Sequence, residues 1–187
     1  MQAALLLLFV LVSPALAQPT PQILASLREG GYVLYLRHTS TDFSQDDSRM
    51  KSFDDCATQR NLTDRGRAEA RALGEHVRRL KIPIGEVLAS PFCRTVETAR
   101  LAFGKATVTN AVRGGPGRTD DPARYAALRK LLSAEVAKGA NLVISSHGNP
   151  FHAVAGPPYL AEGELAVVRP EGGERFSVVA RIRLTDW

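Results

Sequence analysis

Three short stretches of this 187-residue chain carry side chains that could do chemistry. The first is Arg37-His38-Thr39, which ends the apolar run 33–36 (Val-Leu-Tyr-Leu). The second is Ser90-Pro91-Phe92-Cys93-Arg94, directly after Val87-Leu88-Ala89. The third is Ser146-His147-Gly148, after the run 141–145 (Asn-Leu-Val-Ile-Ser). Each apolar run has the length and composition of a buried strand. In a parallel sheet the three run ends share one edge, and ligands of open α/β sheets bind outside the carboxyl ends of the strands. Two guanidiniums, two imidazoles and a helix start at Ser90 would then face one pocket. That set suits a phosphoryl group, because guanidinium and helix N-termini both favour anions. Taken alone, Arg37-His38 is equally well a solvated strand end.

A short helix over 21–29 stops at Gly30-Gly31. Residues 40–60 are polar and aperiodic, rich in aspartate, and begin directly after His38. A loop of that length inside a compact domain is usually functional. Thr63 is a good N-cap for a helix reaching about Leu80, with Ala70, Leu73 and Val77 on one face. Ser90 as N-cap and Pro91 at the first helical position predict a helix from there to Phe103, closed by Gly104. Thr107-Val108 is a candidate strand. Residues 113–121 form a Gly-rich loop, and Pro122 opens a helix running through Val136 to Gly139. After the 141–145 strand a short helix reaches Ala155, and 165–168 and 176–184 read as a closing hairpin. Alternating strands and helices predict an α/β domain with a mostly parallel sheet.

The composition narrows the ligand. The net charge is +5, much of it arginine, yet only 6% of residues are aromatic and no basic block stands out. Nucleic acid is therefore a poor partner, and a small anionic molecule a better one. Residues 3–12 are apolar and lead to Ala15-Leu16-Ala17, the form of a secretory signal cleaved after Ala17, with the mature chain starting near Gln18. No second long apolar stretch exists, so periplasmic or secreted protein with no membrane anchor is expected, organised as a signal over 1–17 and one domain over 18–187. In an exported chain the two cysteines, Cys56 and Cys93, are expected to pair. The alternative is two separate buried thiols.

The three stretches, in order, resemble the histidine phosphatase superfamily, whose fold is phosphoglycerate-mutase-like. Arg37-His38-Thr39 matches its Arg-His-Gly motif, with threonine for the glycine. Ser90, Pro91, Arg94, Thr98 and Ala99 match its Ser-Pro-x-x-Arg-x-x-x-Thr-Ala pattern, and Ser146-His147-Gly148 its late histidine. Leu62-Thr63 with Gly66 matches its Leu-Thr-x-x-Gly helix start. The resemblance implies a three-layer α/β/α sandwich and hydrolysis of a small phosphorylated substrate. It makes His38 the nucleophile, forming a phosphohistidine, with Arg37, Arg94 and His147 on the phosphate oxygens and neither metal nor cofactor. Thr41, three residues after the nucleophile, is a further phosphate ligand. For the general acid, Asp42 is the first candidate, before Asp120, Asp121 and Glu164. His152 is a candidate for the pocket wall, and His76 for the surface. The rival readings are an exported phosphate-ligand binding protein with little turnover, and a metal hydrolase using His38, His147 and an aspartate. The second of these fits badly with two arginines, which repel a divalent cation.

Overall fold

A computed structural model describes residues 19–115 and 122–187. The expected signal at 1–17 and the acid candidates Asp120 and Asp121 lie outside these residues.

Six strands form one sheet: β1 (Val33–Arg37), β2 (Ile84–Ala89), β3 (Thr107–Val108), β4 (Asn141–Ser146), β5 (Leu165–Gly172) and β6 (Arg175–Ile182). Their order is β3-β2-β4-β1-β5-β6. The first four are parallel to one another, and the β5–β6 hairpin adds antiparallel to β1. The α/β reading with a mostly parallel sheet and a closing hairpin therefore holds.

Side chains of a strand point alternately to opposite faces, and both faces of this sheet are covered. Leu34 and Leu36 of β1, with Val87, Ala89 and Val143, pack against Leu27 of α1 (Pro21–Glu29), Leu73 and Val77 of α2 (Asp64–Arg79) and Ala99 of α3 (Cys93–Phe103). Val33 and Tyr35, with Leu88 and Ile144, pack against Leu128 and Leu132 of α4 (Ala126–Ser133) and Phe151 of α5 (Gly148–Ala155). This is why 33–36 reads as an unbroken apolar run: neither face of β1 meets water. Each such leucine contributes roughly 1.5–3 kcal/mol through burial.

Three element boundaries differ from the sequence reading. Helix α3 starts at Cys93, not at Ser90, and Phe92 is its N-cap without a side-chain bond. Ser90 instead directly follows β2, with its N–H donating to Ser145 O at 3.0 Å. Helix α4 is shorter than its apolar spacing predicts. A 3-10 turn over Pro122–Tyr125 precedes it, and it stops at Ser133, where the extended Ala134 donates its N–H to Lys130 O. Val136 still packs against the α4–α5 core from outside the helix. Strand β2 begins at Ile84, earlier than expected, with a register irregularity before Val87.

The register brings the reactive ends together. Arg37 sits opposite Ser146, and Ala89 opposite Ser145. Residues 37–38, 90 and 146–147 therefore form one row at the carboxyl edge of three adjacent strands.

Candidate active site

At that edge a cavity of about 450 Å³ is lined by Arg37, His38, Arg94 and His147, together with Asp47 and Arg60. All four residues expected from the three strand ends are there.

His38 is 1% exposed. Its backbone N–H donates to Ser146 O at 3.0 Å, and its Nδ1 lies 3.0 Å from Thr39 O. A carbonyl only accepts, so Nδ1 carries the proton and Nε2 keeps the lone pair. Burial, and then the positive charges of Arg94, Arg37 and Arg60, hold its pKa well below 6.5. The imidazole is thus neutral and nucleophilic at neutral pH. His147, 5% exposed, lies 5.5 Å away ring to ring. Its Nε2 is 2.9 Å from Ser90 Oγ, and its pKa is likewise pushed well down by burial and then by His38 and the arginines. Tyr35 donates its hydroxyl to His147 O at 2.8 Å from beneath.

The threonine in the glycine's place is accommodated without strain. Positive φ values at non-glycine residues occur only at Lys81 and Glu174 among the described residues, so Thr39 keeps an ordinary backbone. Thr39 N donates to Thr98 Oγ1 at 3.3 Å, and the two hydroxyls are also 3.3 Å apart. Thr98 Oγ1 in turn donates to Arg94 O at 2.7 Å. The threonine four residues after Arg94 therefore couples the arginine helix to the nucleophile loop.

Each arginine is fixed by the protein. Arg37 Nη1 donates to Leu160 O at 2.7 Å, and Nη2 lies 3.4 Å from Glu162 Oε1. Arg94 Nη1 donates to Asp47 Oδ1 at 3.0 Å and to Arg60 O at 3.2 Å. The Nε atoms of Arg37 and Arg94 are buried and have no acceptor among the described residues. Buried donors normally find acceptors, and an oxyanion in this cavity would supply them.

The loop after His38 is tied down by a Cys56–Cys93 disulfide spanning 37 residues, with the Cα atoms 5.7 Å apart. The expected pairing holds. Beside it the buried Gln59 accepts from Cys93 N at 3.0 Å and donates to Phe53 O at 3.0 Å. Phe53 packs edge-on against Phe92, and Phe92 edge-on against His147. The first N–H of α3, expected to face an anion, is thus already bonded to Gln59.

The other candidates lie outside this cavity. Asp42 does not line this cavity. It faces a separate cleft of about 1170 Å³ that contains none of Arg37, His38, Arg94 or His147. Its carboxylate accepts from Ser44 Oγ and Ser44 N, which hold its pKa below the ordinary carboxylate value. A carboxyl so placed caps a turn. Thr41 does not line the cavity either. Its hydroxyl donates to Glu162 Oε1 and accepts from Arg60 Nη1, both at 2.7 Å. Glu164 is buried, with Oε2 accepting from Ala161 N. His152 is exposed and packs against Tyr159, which lines the cavity, without lining it itself, and His76 stacks on Trp187.

Sequence reasoning missed Asp47, Arg60 and Glu162. Asp47 and Arg60 stand in a loop without periodicity. Glu162 is 121 residues from Thr41, its hydrogen-bond partner, in a turn without a motif. No local signal pointed to it. Among the described residues, no group of three or more His, Cys, Asp or Glu side chains gathers as a metal would require.

Residues 33–113 match the family model of the histidine phosphatase superfamily (branch 1). A search of curated proteins finds none that matches. Among solved structures, the protein histidine phosphatase SixA complexed with tungstate is similar, with 22% identity and a TM-score of 0.58 over 83% of this chain and 98% of that one. Mycobacterial glucosyl-3-phosphoglycerate phosphatase Rv2419c superposes with 16% identity and a TM-score of 0.59 over 80% of this chain and 97% of that one. A putative phosphohistidine phosphatase SixA from Agrobacterium tumefaciens gives 16% identity and a TM-score of 0.55, covering 81% and 97% of the two chains. The matched segment 33–113 and the similar solved structures give the chain a phosphoglycerate-mutase-like fold, with Arg37, His38, Arg94 and His147 gathered at one edge of its sheet.

Proposed function

We propose that this protein is a metal-independent phosphomonoester hydrolase that works through a phosphohistidine on His38. The observation that carries the reading is a buried, neutral His38 with Nδ1–H held by Thr39 O, in a cavity walled by arginines. Nε2 attacks phosphorus, an N–P bond forms and the ester P–O bond breaks. The leaving oxygen takes up a proton from solvent water. Water then attacks phosphorus, the N–P bond breaks, Nε2 regains its lone pair and the attacking water returns the proton. Charge on the transferring group is spread over its equatorial oxygens. In this reading Arg37 and Arg94, with His147, stabilise it, and cations already fixed by the protein do so without reorganising. The two buried Nε donors support this assignment.

Export is part of the reading. The disulfide supports an oxidising compartment. Among the described residues no helix is long and apolar enough to cross a membrane. The name of one structural relative, a glucosyl-3-phosphoglycerate phosphatase, supports a small phosphorylated substrate.

The test is hydrolysis of a chromogenic aryl phosphate by the mature protein, with and without chelator, beside His38→Ala. Turnover that survives chelator and vanishes in the variant is expected. Phosphate binding without turnover would instead make this a binding protein on the same scaffold, and loss of turnover with chelator would make it a metal enzyme.

A further inference from the structure

The cavity holds a third guanidinium that the strand-end motifs do not contain. Arg60 comes from the loop between β1 and α2; its backbone and one guanidinium nitrogen are bonded to residues around the site, and its guanidinium lies 4.7 Å over the Phe43 ring. Its backbone N–H donates to Asp47 Oδ1 at 2.9 Å, the same oxygen that accepts from Arg94 Nη1 at 3.0 Å. Its carbonyl accepts from Arg94 Nη1 at 3.2 Å. Its Nη1 donates to Thr41 Oγ1 at 2.7 Å and lies 3.5 Å from Glu162 Oε1. Among the described residues all hydrogen bonds of this side chain run through Nη1, so Nε and Nη2 remain as donors on a residue that lines the cavity. Its charge also acts on both imidazoles, lowering the pKa of each.

Glu162 explains how the group stays in place. Its side chain is 14% exposed and takes Thr41 N at 3.1 Å on Oε2 and Thr41 Oγ1 at 2.7 Å on Oε1. The same Oε1 lies 3.4 Å from Arg37 Nη2 and 3.8 Å from His38 Nδ1. One carboxylate thus spaces Arg37 from Arg60 and pins the chain just after the nucleophile. It does not line the cavity.

We infer that Arg60 is a third phosphoryl-binding guanidinium and that Glu162 is its positioning residue. The assignment deepens the phosphoryl-transfer reading above and rests on it. Three arginines against the two carboxylates Asp47 and Glu162 leave one net positive charge for a dianion, with both imidazoles neutral. A guanidinium held at both backbone atoms and one nitrogen loses little further freedom on binding, which is what pre-organised stabilisation requires.

The experiment measures equilibrium binding of orthovanadate and inorganic phosphate by calorimetry, with aryl phosphate turnover alongside, for wild type, Arg60→Ala, Arg60→Lys, Glu162→Gln and the Arg60→Ala/Glu162→Gln pair. Thermal unfolding checks that each variant is folded. Losing one charge-assisted bond to the bound oxyanion should weaken vanadate binding by about 10–100-fold in Arg60→Ala. Arg60→Lys should weaken it less. Glu162→Gln should lower kcat/KM in wild type and add little in the Arg60→Ala background, since coupled residues are not additive. Folded Arg60→Ala or Arg60→Lys binding vanadate as tightly as wild type overturns the assignment of Arg60. Additive effects of the two substitutions overturn that of Glu162. Binding is read without turnover, so a wild type that binds vanadate through Arg60 but hydrolyses nothing sinks the hydrolase reading alone.

Discussion

Gly66→Ala sets two physical effects against each other. Gly66 lies in the first turn of α2, and alanine is favoured over glycine inside a helix by about 1 kcal/mol. Helix propensity alone therefore predicts stabilisation. The structure predicts the opposite sign. A Cβ at Gly66 would stand 2.0 Å from Ser40 O and 3.0 Å from Ser40 C, both backbone atoms. Ordinary C···O approach is about 3.3–3.6 Å, so helix or loop must move by more than about 1 Å. Overfilling of this kind costs about 1–3 kcal/mol. Ser40 O also accepts from Thr63 N at 3.0 Å and Thr63 Oγ1 at 3.3 Å. Losing these bonds adds about 0.5–1.5 kcal/mol each. Set against the helix gain, the net loss is about 1–5 kcal/mol. The loop that moves carries Thr39, whose carbonyl fixes the His38 tautomer, and a 1 Å misplacement can cost about 100-fold in rate. Urea unfolding and kcat/KM, measured well below the unfolding midpoint, read both effects. A variant as stable as wild type with unchanged kcat/KM would refute this account of the glycine.

Other consequences are as specific. Closing a 37-residue loop is worth about 4 kcal/mol in the chain-entropy account, so Cys56→Ser/Cys93→Ser should unfold at lower urea by that order and bind phosphate more weakly, because Asp47 and Arg60 ride on the released loop. Asp42→Asn should change kcat/KM by less than about twofold, the size of a surface change; a hundredfold loss would restore Asp42 as the acid. His38 and His147 are held neutral, with folded pKa values below the unfolded 6.5. Their stability contribution is complete above pH 6.5 and is lost as pH falls from there toward the folded values, because the unfolded chain takes up protons first. The slope is up to about 2.7 kcal/mol per pH unit for the two groups. Urea melts at pH 7.5, 6 and 5 should show it, and His38→Asn should remove about half.

Much of this site was legible in the sequence because it is written at strand ends. Arg37-His38, Ser90 and Ser146-His147 each close an apolar run, and parallel pairing converts three such ends into one edge. The buried run 33–36 announced its two-sided packing, and Thr63 with Gly66 announced the start of α2. The disulfide followed from two cysteines in a chain read as exported. Where local signals compete, the reading failed. Ser90-Pro91 has the form of a helix start, yet Ser90 directly follows β2, α3 begins only at Cys93, and the Ser90 hydroxyl serves His147. Asp42 is near His38 in sequence, yet the bridge between Thr41 and Leu62 sends the chain toward a different cleft. Arg60, Asp47 and Glu162 were invisible because their role exists only once loop, helix and the turn before β5 are brought together.

The central claim is that phosphorus is transferred to His38 Nε2. Its most direct measurement is denaturation of the working enzyme at alkaline pH after brief exposure to a labelled phosphate ester, followed by peptide mapping. A base-stable, acid-labile phosphate on the peptide carrying His38, absent from His38→Ala, is the predicted result. Label on any other residue, or steady turnover by His38→Ala, would contradict it.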